Sequence, residues 1–351
     1  MKHSIGLSAV TVGALALLAG LGIAAAGHAD SASLRAQAKA LFAPLPDSAA
    51  TAARPMTKAR VDLGRRLYYD MRLSKNHDVA CNSCHLLDRF GVDGQSFSPG
   101  HKGQLGGRNS PTTYNAALHF AHFWDGRAAD VEAQAKGPVL NPVEMAMPSE
   151  AAVVAVLRSI PGYAPFFGAA FPGESPSITY ENMAIAIGAF ERGLLTPGHF
   201  DEWLAGNVNA LDDQALAGLQ IFVSKGCASC HAGPLLGGGM YQKLGLVKPY
   251  QTKDVGRMEL TGKEADKYFF KVPSLRNVAK TRPYFHDGSI ATLDQAILLM
   301  GRHQLGIELS PAERVSIADF LRSLTGEIDD RYTAKPDLLP SGPRTPEPNP
   351  N

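Results

Sequence analysis

The sequence predicts an all-α fold in which two small helical domains follow one another and are wrapped by long loops. Three observations point there. Apolar residues recur at helical spacing wherever a pattern can be read, and no run alternates as a half-buried strand would. A set of motifs occurs twice in the same order, the mark of a duplicated unit. Gly (35) and Pro (24) make about a sixth of the 351 residues, which favours long ordered loops between short helices. A chain of this length also exceeds one ordinary compact core. Hydrophobic residues at 45% and charged residues at 19% exclude a disordered chain. The balance of 34 basic against 33 acidic side chains, with no Lys/Arg cluster, gives no basis for a nucleic-acid partner.

Residues 1–29 read as a targeting segment. Lys2 is followed by an uncharged stretch from Ile5 to Ala26, with small residues at Ala24-Ala25-Ala26 and Gly27-His28-Ala29 suited to cleavage. An uncleaved membrane anchor is the alternative, because the uncharged stretch is long for a signal core. Both place the body of the protein outside the cytoplasm. An extension over 30–56 precedes a first domain at 57–200 and a second at 201–328. Residues 329–351 form a tail rich in proline (Pro336, Pro340, Pro343, Pro346, Pro348, Pro350) that can neither extend a helix nor donate to a sheet, and it reads as solvated.

Within the domains, Val61, Leu63, Leu67 and Tyr68 make one loose helical stripe. Ser149, Ala152 to Leu157 and Ile160 read as a capped helix stopped by Pro161. Met183, Ile187, Phe190 and Leu194 form a clear stripe, as do Leu216, Leu219, Phe222 and Val223 behind a cap at Asp212 or Asp213. Ser310-Pro311-Ala312-Glu313 is a capping box that opens a last helix through Leu321 and Leu324.

The repeat carries the chemistry. Cys81-Asn82-Ser83-Cys84-His85 recurs as Cys227-Ala228-Ser229-Cys230-His231. Pro111 and Asn115 stand before Phe123-Trp124-Asp125-Gly126 at the same offsets as Pro273 and Asn277 before Phe285-His286-Asp287-Gly288. All four cysteines lie in the two pentapeptides. Two thiols three positions apart can each add to a vinyl group of one porphyrin, and the histidine that follows then reaches the iron. Cys81, Cys84, Cys227 and Cys230 are therefore thioether anchors, and His85 and His231 proximal ligands, of two covalent c-type haems. A zinc ribbon would bring its two Cys pairs close together in sequence, a thioredoxin-like pair needs a βαβ context, and disulfides would not call for a histidine after each pair. The predicted domains are thus cytochrome c-like, each helical body built around one haem, and the porphyrin supplies part of each core.

With these segments in view, the chain resembles the bacterial di-haem cytochrome c peroxidases from about Val61 to Leu324. The blocks that carry the likeness are Arg108-Asn109-Ser110-Pro111-Thr112, Phe123 to Asp130, Gln134 to Pro138, Asn141-Pro142-Val143-Glu144-Met145, Val272 to Asn277 and Pro283 to Gly288. The resemblance implies reduction of hydrogen peroxide to water in the periplasm, with electrons from a small cytochrome c or a cupredoxin. It implies one high-potential and one low-potential haem and a calcium ion between the domains. Dimers are frequent in the family, and no stretch here reads as a homodimer interface.

Several roles follow from the resemblance alone. Met300 is the sixth ligand of the high-potential haem in the second domain, where a thioether raises the potential; by spacing it would read as a core methionine. His101, in a glycine-rich loop, ligates the low-potential haem at rest and leaves it when the other haem is reduced, although some members lack this step. Glu144 is the carboxylate that moves a proton between the peroxide oxygens, Gln134 a nearby amide and Phe123 an apolar wall. Trp124 lies in the bridge between the haems. Asn109 offers a side-chain oxygen, and Thr281 and Pro283 backbone carbonyls, to calcium. Two other readings stay open: a di-haem electron carrier without peroxide turnover, which would need neither Glu144 nor His101, and a protein-oxidising enzyme of the methylamine-utilisation type, which has tyrosine where this chain has Met300.

Overall fold

The computed structural model describes Met1 and residues 32–351. Apart from Met1, the expected targeting segment lies outside the described residues. The first half contains helix α1 (32–41), α2 (Lys58–Tyr69), the single turn α3 (Cys81–Cys84), α4 (Val131–Leu140), α5 (Glu150–Ser159), α6 (Tyr163–Ala170) and α7 (Tyr180–Glu191). The second contains α8 (His199–Ala205), α9 (Asp213–Ser224), α10 (Met258–Thr261), α11 (Leu293–Met300), α12 (Pro311–Arg322) and α13 (Asp330–Thr333). Strands β1 (Tyr241–Lys243) and β2 (Phe269–Lys271) pair antiparallel, Tyr241 opposite Lys271. The helix-dominated fold agrees with the sequence reading.

Local chemistry explains where the helices begin. Thr57, Ser149, Asp212 and Ser310 each accept a backbone N–H of the first turn, and the Ser310–Glu313 box is closed in both directions. Two helices stop earlier than their apolar stripes suggest. α7 ends at Glu191 and α12 at Arg322, yet Leu194 and Leu324 stay buried because the following turn folds them back onto the core. The turn has a further use. The Leu194 carbonyl accepts from Asn115 N (2.7 Å), and the Leu324 carbonyl from Asn277 N (3.1 Å). Both asparagine amides then donate to one hydroxyl, Thr196 Oγ1, at 2.9 and 2.8 Å. The two motif copies thus meet at a single buried threonine.

The duplication is also visible in the helix crossings. α2 packs on α7 and α9 on α12, each through a glycine. A Cβ on Gly64 would stand 1.8 Å from the Ala186 carbonyl oxygen, and one on Gly218 1.8 Å from that of Ser316. Above these crossings lie two apolar cores. One runs from Leu63 to Leu194; the other combines Phe200 to Leu324 with Leu34, Ala38 and Phe42.

The chain ends are exchanged between the cores. α1, from the extension, packs on the second core, and Gly233 N donates to the Leu41 carbonyl (2.8 Å). The proline-rich tail crosses the first. Arg72 Nη1 donates to the Leu339 carbonyl (2.8 Å), and Asn349 N to the Lys75 carbonyl (3.0 Å). The tail is largely exposed, as its composition demands, but its backbone is held rather than freely solvated.

Close helix approach at Gly64 and Gly218 predicts that Gly64→Ala and Gly218→Ala each destabilise the holoprotein by about 1–3 kcal/mol through overpacking. Thermal or denaturant unfolding checks this, with Gly168→Ala in α6, where an added Cβ meets nothing within 4 Å, as the control.

Candidate active site

Each Cys-x-x-Cys-His segment follows one of the glycine-crossed helices, so the crossing sets where its histidine stands. The four cysteines form no disulfide, and burial pushes the thiols of Cys84 and Cys227 up to about 11. The amides of His85 and His231 donate back to the carbonyls of Cys81 (3.0 Å) and Cys227 (3.1 Å), closing one turn. His85 Nδ1 lies 3.3 Å from the Gly91 carbonyl and His231 Nδ1 3.0 Å from that of Leu236. A carbonyl can only accept, so Nδ1 carries the proton and Nε2 presents its lone pair. Burial lowers the pKa of both rings and keeps them neutral, as a metal ligand must be. Gly237 makes the second arrangement possible: it is left-handed (φ +134°), and a Cβ there would lie 2.1 Å from the Pro273 oxygen and 3.3 Å from His231 Nδ1.

Cys227, Cys230 and His231 open on a large, mainly apolar cleft whose wall includes Met300. Met300 closes α11, which continues as a π-helical turn over Gly301–Leu305. The cleft reaches into the first half of the chain, where Asn109, Phe123 and Trp124 line it together with Thr281 and Pro283. The three residues expected to hold calcium therefore line the same cleft. Asn109 Nδ2 donates to the Gln95 carbonyl at 2.8 Å, leaving Oδ1 as its remaining acceptor.

A second cavity, about 280 Å³, lies under Glu144 and is lined by Phe123, Arg127, Ala133, Gly137, Asn141 and others. Phe123, left-handed at φ +64°, is common to both cavities. Glu144 Oε1 accepts from Asn141 Nδ2 (2.9 Å), and burial raises its pKa against the opposing pull of Arg127 and Asn141. The Arg127 guanidinium carbon lies 3.5 Å from the centre of the Phe123 ring, and the group is held by Asp125. His101 is tied to the same segment, its amide donating to the Glu144 carbonyl at 2.7 Å. Gly100 permits this approach, since a Cβ there would lie 2.2 Å from the Val143 oxygen. The His101 ring is buried, and its Nδ1 has no hydrogen-bond partner among the described residues. Gln134 is not among the residues that line this cavity; helical phase turns Ala133 and Gly137 toward it instead.

Trp124 stands at the seam between the halves. Its Nε1 donates to the Asn109 carbonyl (2.8 Å), its carbonyl accepts from Lys271 N (2.7 Å), and its ring meets His286 edge-on at 6.4 Å. Arg108 clamps the same seam, reaching Asp125 (2.6 Å), Asp254 (2.7 Å) and Glu259 (2.8 Å). The sequence reading assigned no role to Arg127, Arg108, Lys271 or His119. Arg127 and Arg108 stood inside the motif blocks, but their partners lie up to about 150 positions away.

Paired thiols, Nε2-presenting histidines and an apolar cleft fit porphyrin, and with the helical fold they define a haem protein of the c type. Residues 58–209 match the family described as di-haem cytochrome c peroxidase. The cytochrome c551 peroxidase of Nitrosomonas europaea is 46% identical over 299 residues, 84% of this chain and 88% of that protein. That of Pseudomonas aeruginosa is 42% identical over 306 residues, 85% and 88% of the two chains. The crystal structure of a MauG-like protein associated with microbial copper homeostasis superposes with a TM-score of 0.75 at 29% identity, covering 83% of this chain and 97% of that one. The chain belongs to the di-haem cytochrome c peroxidase family, and it is a haem-dependent oxidoreductase, a cytochrome c peroxidase.

The position of Arg127 predicts a pH effect. Its charge holds down a carboxyl pKa that burial raises. Work that needs Glu144 ionised is lost as pH falls through that raised pKa, so Arg127→Leu moves the acid limb of the activity profile to higher pH. Rates measured across the acid range in wild type and variant check the direction.

Proposed function

We propose that this enzyme reduces hydrogen peroxide to water with two covalent haems of unlike ligation, one in each helical domain. Cys81, Cys84 and His85 hold the first, with His101 as its removable sixth ligand. Cys227, Cys230 and His231 hold the second, with Met300 opposite. Bound haem iron supplies the one-electron chemistry and the centre at which peroxide is activated. The protein's own part is to place protons and exclude water.

The observation that carries this reading is the Glu144 cavity. Peroxide reduction takes up two protons and two electrons and yields two waters, and a proton must pass from one peroxide oxygen to the other. A buried carboxyl oriented by Asn141, with Arg127 opposing the effect of burial, can accept and return that proton. Phe123 gives the cavity an apolar wall that limits competing water. Gln134, on α4 but outside the cavity lining, keeps a supporting amide role from the resemblance alone. Trp124 is proposed to couple the two haems, and Asn109, Thr281 and Pro283 to hold calcium at the seam. An electron carrier without turnover would have no use for a carboxyl that faces such a cavity. The targeting segment supports a periplasmic location, and the donor is proposed to be a small cytochrome c or a cupredoxin. The family's habit of pairing supports a homodimer.

Glu144→Gln is expected to keep both haems and to lower peroxide-dependent oxidation of reduced cytochrome c by about 10²–10⁴-fold. Retention of wild-type turnover removes Glu144 from the mechanism. Met300→Leu is expected to lower the midpoint potential of one haem and leave the other unmoved, read by spectroelectrochemical titration.

A further inference from the structure

Lys271 closes β2 with only 7% of its surface exposed. Its Nζ donates to Nδ1 of His119 at 2.6 Å, a contact from the second half of the chain to the first. Among the described residues no carboxylate forms an ion pair with it, and burial alone pushes its ammonium down to about 8. Because His119 Nδ1 accepts from Lys271, the ring's own proton sits on Nε2. His119 is half-buried, and desolvation, Lys271 and His122 all depress its pKa, so it stays neutral. The pair therefore offers the remaining ammonium protons and one imidazole N–H. All of these are donors, and no anion accepts them.

The position of the pair is built rather than accidental. Phe120 N donates to the Gly238 carbonyl (3.1 Å), and a Cβ on left-handed Gly238 would come within 3.3 Å of the His119 ring. The backbone of Lys271 is fixed by its bond to the Trp124 carbonyl. Both side chains line the cleft that also contains Cys227, Cys230, His231 and Met300. A buried cation without a partner is costly, and such groups are paired in folded proteins.

We propose that Lys271 and His119 form a carboxylate site in the wall of this cleft, and that its occupant is a propionate of the porphyrin anchored on Cys227 and Cys230. This rests on the reading that a haem occupies the cleft. A tethered carboxylate is present at high effective concentration, which favours it over a free anion. A cation held against the propionate stabilises the reduced iron, which carries one positive charge fewer. Lys271 thus raises the potential of this haem in the same direction as Met300.

The test uses full-length holoprotein with Lys271→Met, Lys271→Arg and His119→Asn. Haem per chain and the methionine–iron charge-transfer band report assembly and ligation. The propionate bending band in resonance Raman and the midpoint potential of each haem report the contact. Lys271→Met is expected to shift the bending band and to lower the midpoint of the methionine-ligated haem by about tenfold in its reduction equilibrium, ~59 mV for one electron. Lys271→Arg is expected to retain most of the wild-type value. If Lys271→Met does not assemble, His119→Asn is expected to give a smaller shift of the same sign. An unchanged band and midpoint with both haems and the methionine ligand in place overturns the inference, as does a shift confined to the other haem. Wild-type protein with no haem on Cys227 and Cys230 overturns the underlying reading, and the inference with it.

Discussion

The hydrogen bonds from His85 Nδ1 to the Gly91 carbonyl and from His231 Nδ1 to the Leu236 carbonyl are short-range contacts on which the site depends. They fix which ring nitrogen is bare and restrain rotation of each imidazole about its side-chain axis. Without them a buried, neutral histidine can exchange tautomers and present a proton where a lone pair is needed. The supporting shell serves these bonds. Tyr68 Oη donates to the His85 carbonyl at 2.9 Å, and Gly237 lets the loop bearing Leu236 fold under His231. The glycine-crossed helices stand behind both, so a core contact at Gly64 or Gly218 is also a site contact at one remove.

The two halves share this frame and differ where function needs a difference. Asn115 and Asn277 adopt the same left-handed conformation (φ +60°) and meet at Thr196. Phe123 and Phe285 are likewise both left-handed. The copies part company beyond that point. The first carries a glycine-rich loop that presses His101 against the Glu144 segment, whereas the second runs from a helix into a π-turn beside Met300. A duplicated frame fixes the proximal side twice, and leaves the opposite side free to diverge.

Much of this was legible in the chain, and the rest was hidden for definable reasons. Helix starts were readable because a cap is a local event: Asp212 and Ser310 act within three residues. Helix ends were misjudged because Leu194 and Leu324 keep the apolar phase after the backbone has turned. The pentapeptides named the haem anchors through their spacing, while Met300, His101 and Glu144 needed the family likeness to stand out from ordinary core, loop and surface residues. The exchange of chain ends left no local mark, since a proline-rich tail has the same composition whether it hangs free or lies across a neighbour. Arg127, Lys271 and His119 were silent for a related reason. The meaning of a charge depends on its partners, and those of Lys271 and Arg108 are distant in sequence.

The seam between the halves shows that dependence most clearly, because it holds two cations, Lys271 buried and Arg108 partly buried, with opposite surroundings. Arg108 meets three carboxylates, and its pKa is raised by Asp254 and Asp125 against the cost of burial. It is complete as it stands and acts as a clamp. Among the described residues the Lys271 ammonium is bonded to a neutral imidazole and to no carboxylate. Both are linked to Trp124, Lys271 through its backbone and Arg108 through the neighbouring Asp125. Asn109 joins the same network, donating nothing to Trp124 but accepting its indole proton while its own amide donates to the His286 carbonyl. A change of charge on either side of Trp124 therefore bears on one continuous set of hydrogen bonds. Such a seam joins the two proposed haem sites through one hydrogen-bonded network, without any large rearrangement of the helices around them.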